Sequence, residues 1–183
     1  MKYIPRLIEV EIKKASKSFS ALILTGPRRA GKTTLLRKLF PEAGYYLVED
    51  PDTIARVRSD PRSFLEDLRG PVILDEIQNV PELLGYIRTR IDRYPNKTGQ
   101  WFLTGSQEAQ LLRGVTESLA GRAALFNLLP LSQQESSKVS LFKGGFPEVL
   151  ARPATPTVPF TWSGRSTRPM PSATCGPGLP TRR

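Results

Sequence analysis

Ala21-Leu22-Ile23-Leu24-Thr25-Gly26-Pro27-Arg28-Arg29-Ala30-Gly31-Lys32-Thr33-Thr34-Leu35 is the stretch on which the reading of this 183-residue chain turns. Ala21 to Leu24 form an apolar run with no polar face, the mark of a strand buried on both sides in a parallel sheet. Gly26 to Thr33 then fit G-x-x-x-x-G-K-[ST], and Lys32 to Leu39 read as a helix stopped by Pro41. Glycines at that spacing let successive backbone N–H groups turn inward around phosphate oxygens, and the next helix begins there with its positive end. The motif assigns Gly26, Pro27, Arg28, Arg29, Ala30, Gly31, Lys32, Thr33 and Thr34 to a phosphate-binding loop. Lys32 would reach the β- and γ-phosphates of a nucleotide, and the Thr33 hydroxyl would ligate Mg²⁺. A plain glycine turn is the alternative; the flanking strand and helix argue against it. Arg28 and Arg29 add positive potential, more in the manner of solvated side chains than of ligands.

Three further stretches join this one. Pro71-Val72-Ile73-Leu74-Asp75-Glu76 is a buried strand ending in two carboxylates. At the C-terminal end of a parallel strand, such groups face the same crevice as a phosphate loop. Asp75 would hold the Mg²⁺ shell and Glu76 would orient and polarise an attacking water, so the pair points to hydrolysis rather than binding alone. Solvated acids at a strand end are the plainer reading. Phe102-Leu103-Thr104-Gly105-Ser106-Gln107 ends a third apolar strand with small polar groups. Thr104, Ser106 and Gln107 are each suited to sense a γ-phosphate, and a helix-capping Ser106 is the alternative. Arg122, in Ser118-Leu119-Ala120-Gly121-Arg122, opens the last strand. It would serve as an arginine finger for a neighbouring subunit's nucleotide, and hence as a contact of a homo-oligomer, or else form an internal salt bridge.

The remaining patterning supports one architecture. A short helix is expected within Arg6 to Ser18, a strand at Tyr45–Val48, and helices near Thr53–Arg58 and Ser63–Leu68 after Asp-Pro start signals. Pro81 to Tyr94 carries Leu84, Ile87 and Ile91 on one face. Trp101–Leu103 and Ala123–Leu128 read as strands, and Glu108–Arg113 as a helix. Strands separated by helical crossovers predict an α/β fold, a P-loop NTPase three-layer αβα sandwich on a five-stranded parallel sheet.

Composition narrows the chemistry. The chain has no His and one Cys, Cys175, which excludes Ser-His-Asp and Cys-His catalysis, His-ligated metals and an internal disulfide. No apolar run approaches a membrane span and the N-terminus lacks a signal-peptide core, so a cytoplasmic location is expected. The net charge of +10 is uneven. Residues 1–152 carry 23 basic and 17 acidic side chains, whereas residues 153–183 carry four Arg, no acid and seven of the 17 prolines. The first segment is expected to be the ATPase domain and the second a disordered tail.

Residues 1–152 resemble the AAA+-superfamily ATPases of bacteria and archaea in which the ATPase domain is followed by a domain of unknown function. The likeness runs through Tyr3 and Arg6, the phosphate loop, Glu49-Asp50-Pro51, Leu74-Asp75-Glu76-Ile77-Gln78 with Pro81-Glu82-Leu83, and Leu103-Thr104-Gly105-Ser106-Gln107. It closes with Ser118-Leu119-Ala120-Gly121-Arg122, Pro130-Leu131-Ser132 and Gly144-Gly145-Phe146-Pro147-Glu148. The resemblance implies a five-stranded parallel core with the phosphate-loop strand central, ATP and Mg²⁺ as ligands, and Walker A, Walker B and sensor roles for the residues above. Ala30 stands where the family often has a slightly larger residue. Family members also continue for about as long again into the second domain, and this chain does not.

The tail has a reading of its own. Back-translated with GC-rich codons, residues 171–176 read two bases later as Glu-Arg-Asp-Val-Arg. This looks like the opening of the family's second domain, so the tail is expected to be an out-of-frame remnant of it; an evolved linker or basic tail is the alternative. The leading functional reading is Mg²⁺-dependent ATP hydrolysis. The alternatives are a nucleotide-binding fragment without turnover, for want of the C-terminal domain, and a basic nucleic-acid-binding module. For the last, the sequence displays no helix-turn-helix and no aromatic-basic platform.

Overall fold

A computed structural model describes residues 3–106, 115, 117–141 and 143–151. The tail from 152 onward, with Cys175, the helix expected at Glu108–Arg113 and the candidate Gln107 all lie outside the described residues. Five parallel strands form one sheet: β1 (Ala21–Thr25), β2 (Gly44–Leu47), β3 (Val72–Asp75), β4 (Trp101–Thr104) and β5 (Ala123–Asn127), in the order β2-β3-β4-β1-β5. The parallel sheet is as expected, but the phosphate-loop strand is not its centre. β1 is the fourth of five, between β4 and β5, and β4 takes the middle. The insertion of β4 between β1 and β3 has a consequence for the site, because a β4 side chain then stands between the phosphate loop and the Asp75 strand.

Alternation along the strands divides the interior into two layers. Ala21, Ile23, Val72, Leu74, Trp101 and Leu103 face one side. There they meet α3 (Pro51–Ser59), α4 (Pro61–Asp67) and α5 (Leu83–Arg93) through Val57, Phe64, Leu65, Leu84, Ile87 and Ile91. Leu22, Leu24, Ile73 and Phe102 face the other side, against α1 (Glu9–Ser16) and α2 (Lys32–Leu39). Period-two alternation within strands and helices on both faces is what converts uniformly apolar strands into a three-layer core. Every residue of β1, β3 and β4 is buried, whereas the edge strands β2 and β5 alternate with exposed positions.

The helix starts follow from local chemistry. Asp50 accepts from the Thr53 N–H at 3.0 Å, Asp60 accepts from the Arg62 and Ser63 N–H groups, and proline occupies the first turn of both α3 and α4. A short helix that periodicity did not indicate, α6 (Pro147–Ala151), follows a loop returned to the phosphate site by a Leu131 N–H to Gly145 carbonyl bond of 2.7 Å.

Candidate functional site

The C-terminal ends of β1, β3 and β4 converge on one edge. After Thr25 the chain turns through Gly26, whose φ of 143° lies outside the range open to side chains. A Cβ at Gly26 would stand 2.2 Å from the Leu128 carbonyl oxygen, so only glycine fits. Gly31, at φ 96°, starts α2 with no side-chain cap. The N–H groups of Gly31, Lys32 and Thr33 have no acceptor among the described residues. Unpaired amides at a helix start carry partial positive charge and accept anions.

Lys32 lies buried within this loop, and its ammonium donates to the carbonyls of Gly26 (3.0 Å) and Pro27 (3.1 Å). Burial pulls its pKa below the usual lysine value, against the opposing carboxylates of Glu76 and Asp75 and with help from Arg28. A partly desolvated cation with only carbonyl partners gains from an incoming anion. Thr33 donates its hydroxyl to the Asp75 carboxylate at 2.8 Å, across the end of β4. Asp75 is 4% exposed and also accepts from Tyr45 (2.8 Å) and from Thr104. The Tyr45 hydroxyl is pushed up to about 12 by burial, and then by its bond to Asp75.

Thr104, wholly buried, does double duty. Its hydroxyl donates to Asp75 and accepts the Glu76 N–H at 3.1 Å, so one β4 side chain sets the position of both candidate acids. Glu76 itself adopts left-handed backbone angles (φ 60°, ψ 47°), a conformation costing a non-glycine residue on the order of 1–3 kcal/mol and concentrated at functional sites. That turn aims its carboxylate at Gln78, whose side-chain N–H₂ donates to it at 2.5 Å. The other end of the same amide accepts the Ser106 N–H at 3.3 Å. Gln78 therefore links the Glu76 carboxylate to the loop after β4.

The residues singled out in the sequence separate into three groups. Lys32, Thr33, Asp75, Glu76, Thr104 and Ser106 come together at the edge. Arg29 is drawn aside by Glu148 of α6 (2.9 Å), and Arg28 is exposed. Arg122 is remote: its carbonyl accepts the N–H of Ala21, at the end of β1 opposite the phosphate loop. It makes a two-pronged ion pair with Asp92 (2.5 and 3.1 Å), which is the internal salt bridge weighed against the finger role. Tyr45 and Gln78 are site residues that sequence reasoning missed, the first read only as strand and the second quoted only for its place in a motif.

A mainly apolar cavity of about 200 Å³ adjoins the loop, lined by Tyr3, Ile4, Ala30, Thr34, Leu131 and Pro147. The buried Arg6 braces its floor, donating to the Ala30 carbonyl (3.1 Å), the Leu129 carbonyl (2.6 Å) and the Glu135 carboxylate (3.0 Å).

A family model described as an AAA domain matches residues 18–137. The chain belongs to the AAA-domain family. It therefore carries a nucleotide-binding P-loop ATPase domain. Over 143 residues it is 34% identical to uncharacterized proteins of Mycobacterium bovis and Mycobacterium tuberculosis, a match spanning 74% of this chain and 32% of theirs. The chain thus covers about a third of the length of these relatives. A Walker-type ATPase of Pyrococcus abyssi superposes with a TM-score of 0.52 at 20% identity, over 73% of this chain and 56% of that one, a likeness of fold. Among the described residues no helix is long and apolar enough to cross a membrane.

Proposed function

We propose that this AAA domain, assigned to residues 1–152, binds ATP with Mg²⁺ at the joined ends of β1, β3 and β4 and hydrolyses it. The observation that carries the proposal is the Thr33–Asp75 contact, which couples the phosphate loop to the acidic strand through an intervening strand. The donor set suits magnesium: a hydroxyl and one carboxylate are hard oxygen ligands, few enough to leave places for phosphate oxygens and water. When bound, the cation neutralises charge on the phosphate oxygens.

The chain's own groups would divide the rest of the work. Amides of Gly31, Lys32 and Thr33 would receive phosphate oxygens, with Lys32 exchanging its loop carbonyls for the terminal phosphates. The apolar cavity beside Thr34 would take the base. Glu76 would accept a proton from the water attacking the γ-phosphorus as the bond to the β-phosphate oxygen breaks, giving ADP and phosphate. Gln78 would hold the Glu76 carboxylate in place, and Ser106 would report the loop after β4 to it. Arg122 would reach a nucleotide only on a neighbouring subunit, after parting from Asp92.

Equilibrium titration with ATP tests the loop assignment. Lys32→Ala is expected to weaken ATP binding about tenfold to a hundredfold, the worth of a hydrogen bond to a charged group. Undiminished affinity would remove Lys32 from the phosphate site.

A further inference from the structure

A second concave region lies away from the nucleotide edge, between α4 and α5. The inward face of α5 is apolar, so its remaining positions point out: Tyr86, Arg88, Arg90 and Arg93, followed by Tyr94. With Arg62 from α4 these residues line a cavity of about 660 Å³, larger than the one beside the phosphate loop. Among the described residues of its wall, Glu66 is the one carboxylate. The nearby acids are engaged elsewhere, Asp67 by Arg56 at 2.6 Å and Asp92 by Arg122. Among the described residues none of Arg62, Arg88, Arg90 and Arg93 takes part in a salt bridge.

The groove continues. A smaller cavity of about 160 Å³ shares Arg90 and Tyr94 with the first and adds Arg69 and Lys97. The Lys97 ammonium lies 4.9 Å from the centre of the Tyr94 ring. Gly70 and Gln100 at its end precede β3 and β4, which places this end at the sheet edge opposite the phosphate loop. Tyr86 and Tyr94 are 36% and 47% exposed, so their rings are not spent on the core.

We propose that this groove binds single-stranded nucleic acid. Arginine forks match phosphate oxygens in pairs, and a row of them that makes no salt bridge among the described residues, with Arg88 alone feeling the Asp92 carboxylate, supplies the charge that a phosphate backbone neutralises. Rings interleaved with the cations add what an acidic peptide has no use for: a surface on which unpaired bases stack. A duplex keeps its bases stacked inside, so the rings favour a single strand. The α5 face carries this inference alone; it does not depend on the nucleotide site, and either reading can fail without the other.

Fluorescence anisotropy of a labelled 20-mer of dT, titrated with the full chain across salt concentrations, decides the matter. Binding is expected to weaken with salt along a log–log slope of about −0.7 per phosphate neutralised. Arg88→Ala with Arg93→Ala is expected to cost about tenfold or more in affinity and to flatten the slope by about 1.4. Tyr86→Ala is expected to cost about fivefold or more. ATP affinity should not change in any of them. Should the double variant fail to fold, Arg62→Ala on α4 replaces it, with the slope flattened by about 0.7. Three results would overturn the proposal. One is no oligonucleotide binding by the wild type at low salt. Another is wild-type binding in the groove variants with loss on substituting Arg165, Arg168, Arg182 and Arg183 by Ala, which would place binding in residues 153–183. The third is equal binding of polyglutamate with no effect of Tyr86→Ala, which would make the groove a site for acidic peptide.

Discussion

Glu76→Gln is expected to lower ATP turnover by about 10²- to 10⁴-fold, the contribution of a positioned general base, while ATP affinity stays within a few-fold of wild type. The substitution is nearly isosteric and keeps a side-chain oxygen to accept from Gln78, so the contact at 2.5 Å can persist. The backbone donation from the Glu76 N–H to Thr104 is untouched, and glutamine occupies left-handed angles no worse than glutamate does. What is lost is the ability to take a proton. A steady-state phosphate-release assay beside an ATP titration separates the two effects. If turnover fell no further than binding, Glu76 would be a spectator and the strained turn that aims it would need another explanation.

Arg6→Met is expected to destabilise the domain by about 3–5 kcal/mol, the cost of leaving a buried partner charge uncompensated. The Arg6 and Glu135 side chains are each 7% exposed, so the ion pair is shielded from water. Removing the guanidinium also leaves the Ala30 and Leu129 carbonyls without their donor, and Ala30 belongs to the phosphate loop. Denaturant unfolding should show the loss, together with weakened ATP binding. The same network predicts a pH effect. Burial alone would raise the Glu135 carboxyl, but donation from the Ser132 and Leu7 N–H groups and from Arg6 outweighs it and holds the pKa below the ordinary 4.5. A depressed folded-state pKa stabilises above the unfolded value, and that stability disappears as pH falls through the folded one. Thermal stability should therefore decline below about pH 4.5, and Glu135→Gln, less stable at neutral pH, should decline less steeply. A pH profile identical in wild type and Glu135→Gln would contradict this.

Legibility in the sequence followed the physics of each element. β1, β3 and β4 were readable because strands covered on both faces must be continuously apolar, and α3 and α4 because Asp-Pro starts have a local cause. The order of strands was not readable. Periodicity is silent on which strands pair, and the family resemblance, which implied a central β1, did not place β4 there. The candidate site divided along the same line. Lys32, Thr33, Asp75 and Glu76 sit in motifs whose spacing is itself the chemistry. Tyr45 reaches Asp75 from a neighbouring strand, and Gln78 reaches Glu76 around a left-handed turn. Neither relation exists until the chain is folded. The groove on α4 and α5 was hidden for a similar reason: its cations and rings alternate with core residues on two helices, and only packing gathers them.

If the ends of β1 and β3 form one nucleotide and cation site, calorimetric titration of ATP with and without Mg²⁺ will register it. Wild-type chain should bind ATP more tightly with Mg²⁺ present. Asp75→Asn should lose that increment and keep the Mg²⁺-free affinity, because the phosphate loop is intact. An affinity indifferent to Mg²⁺ in wild type, or an increment that survives in Asp75→Asn, would contradict the joined site.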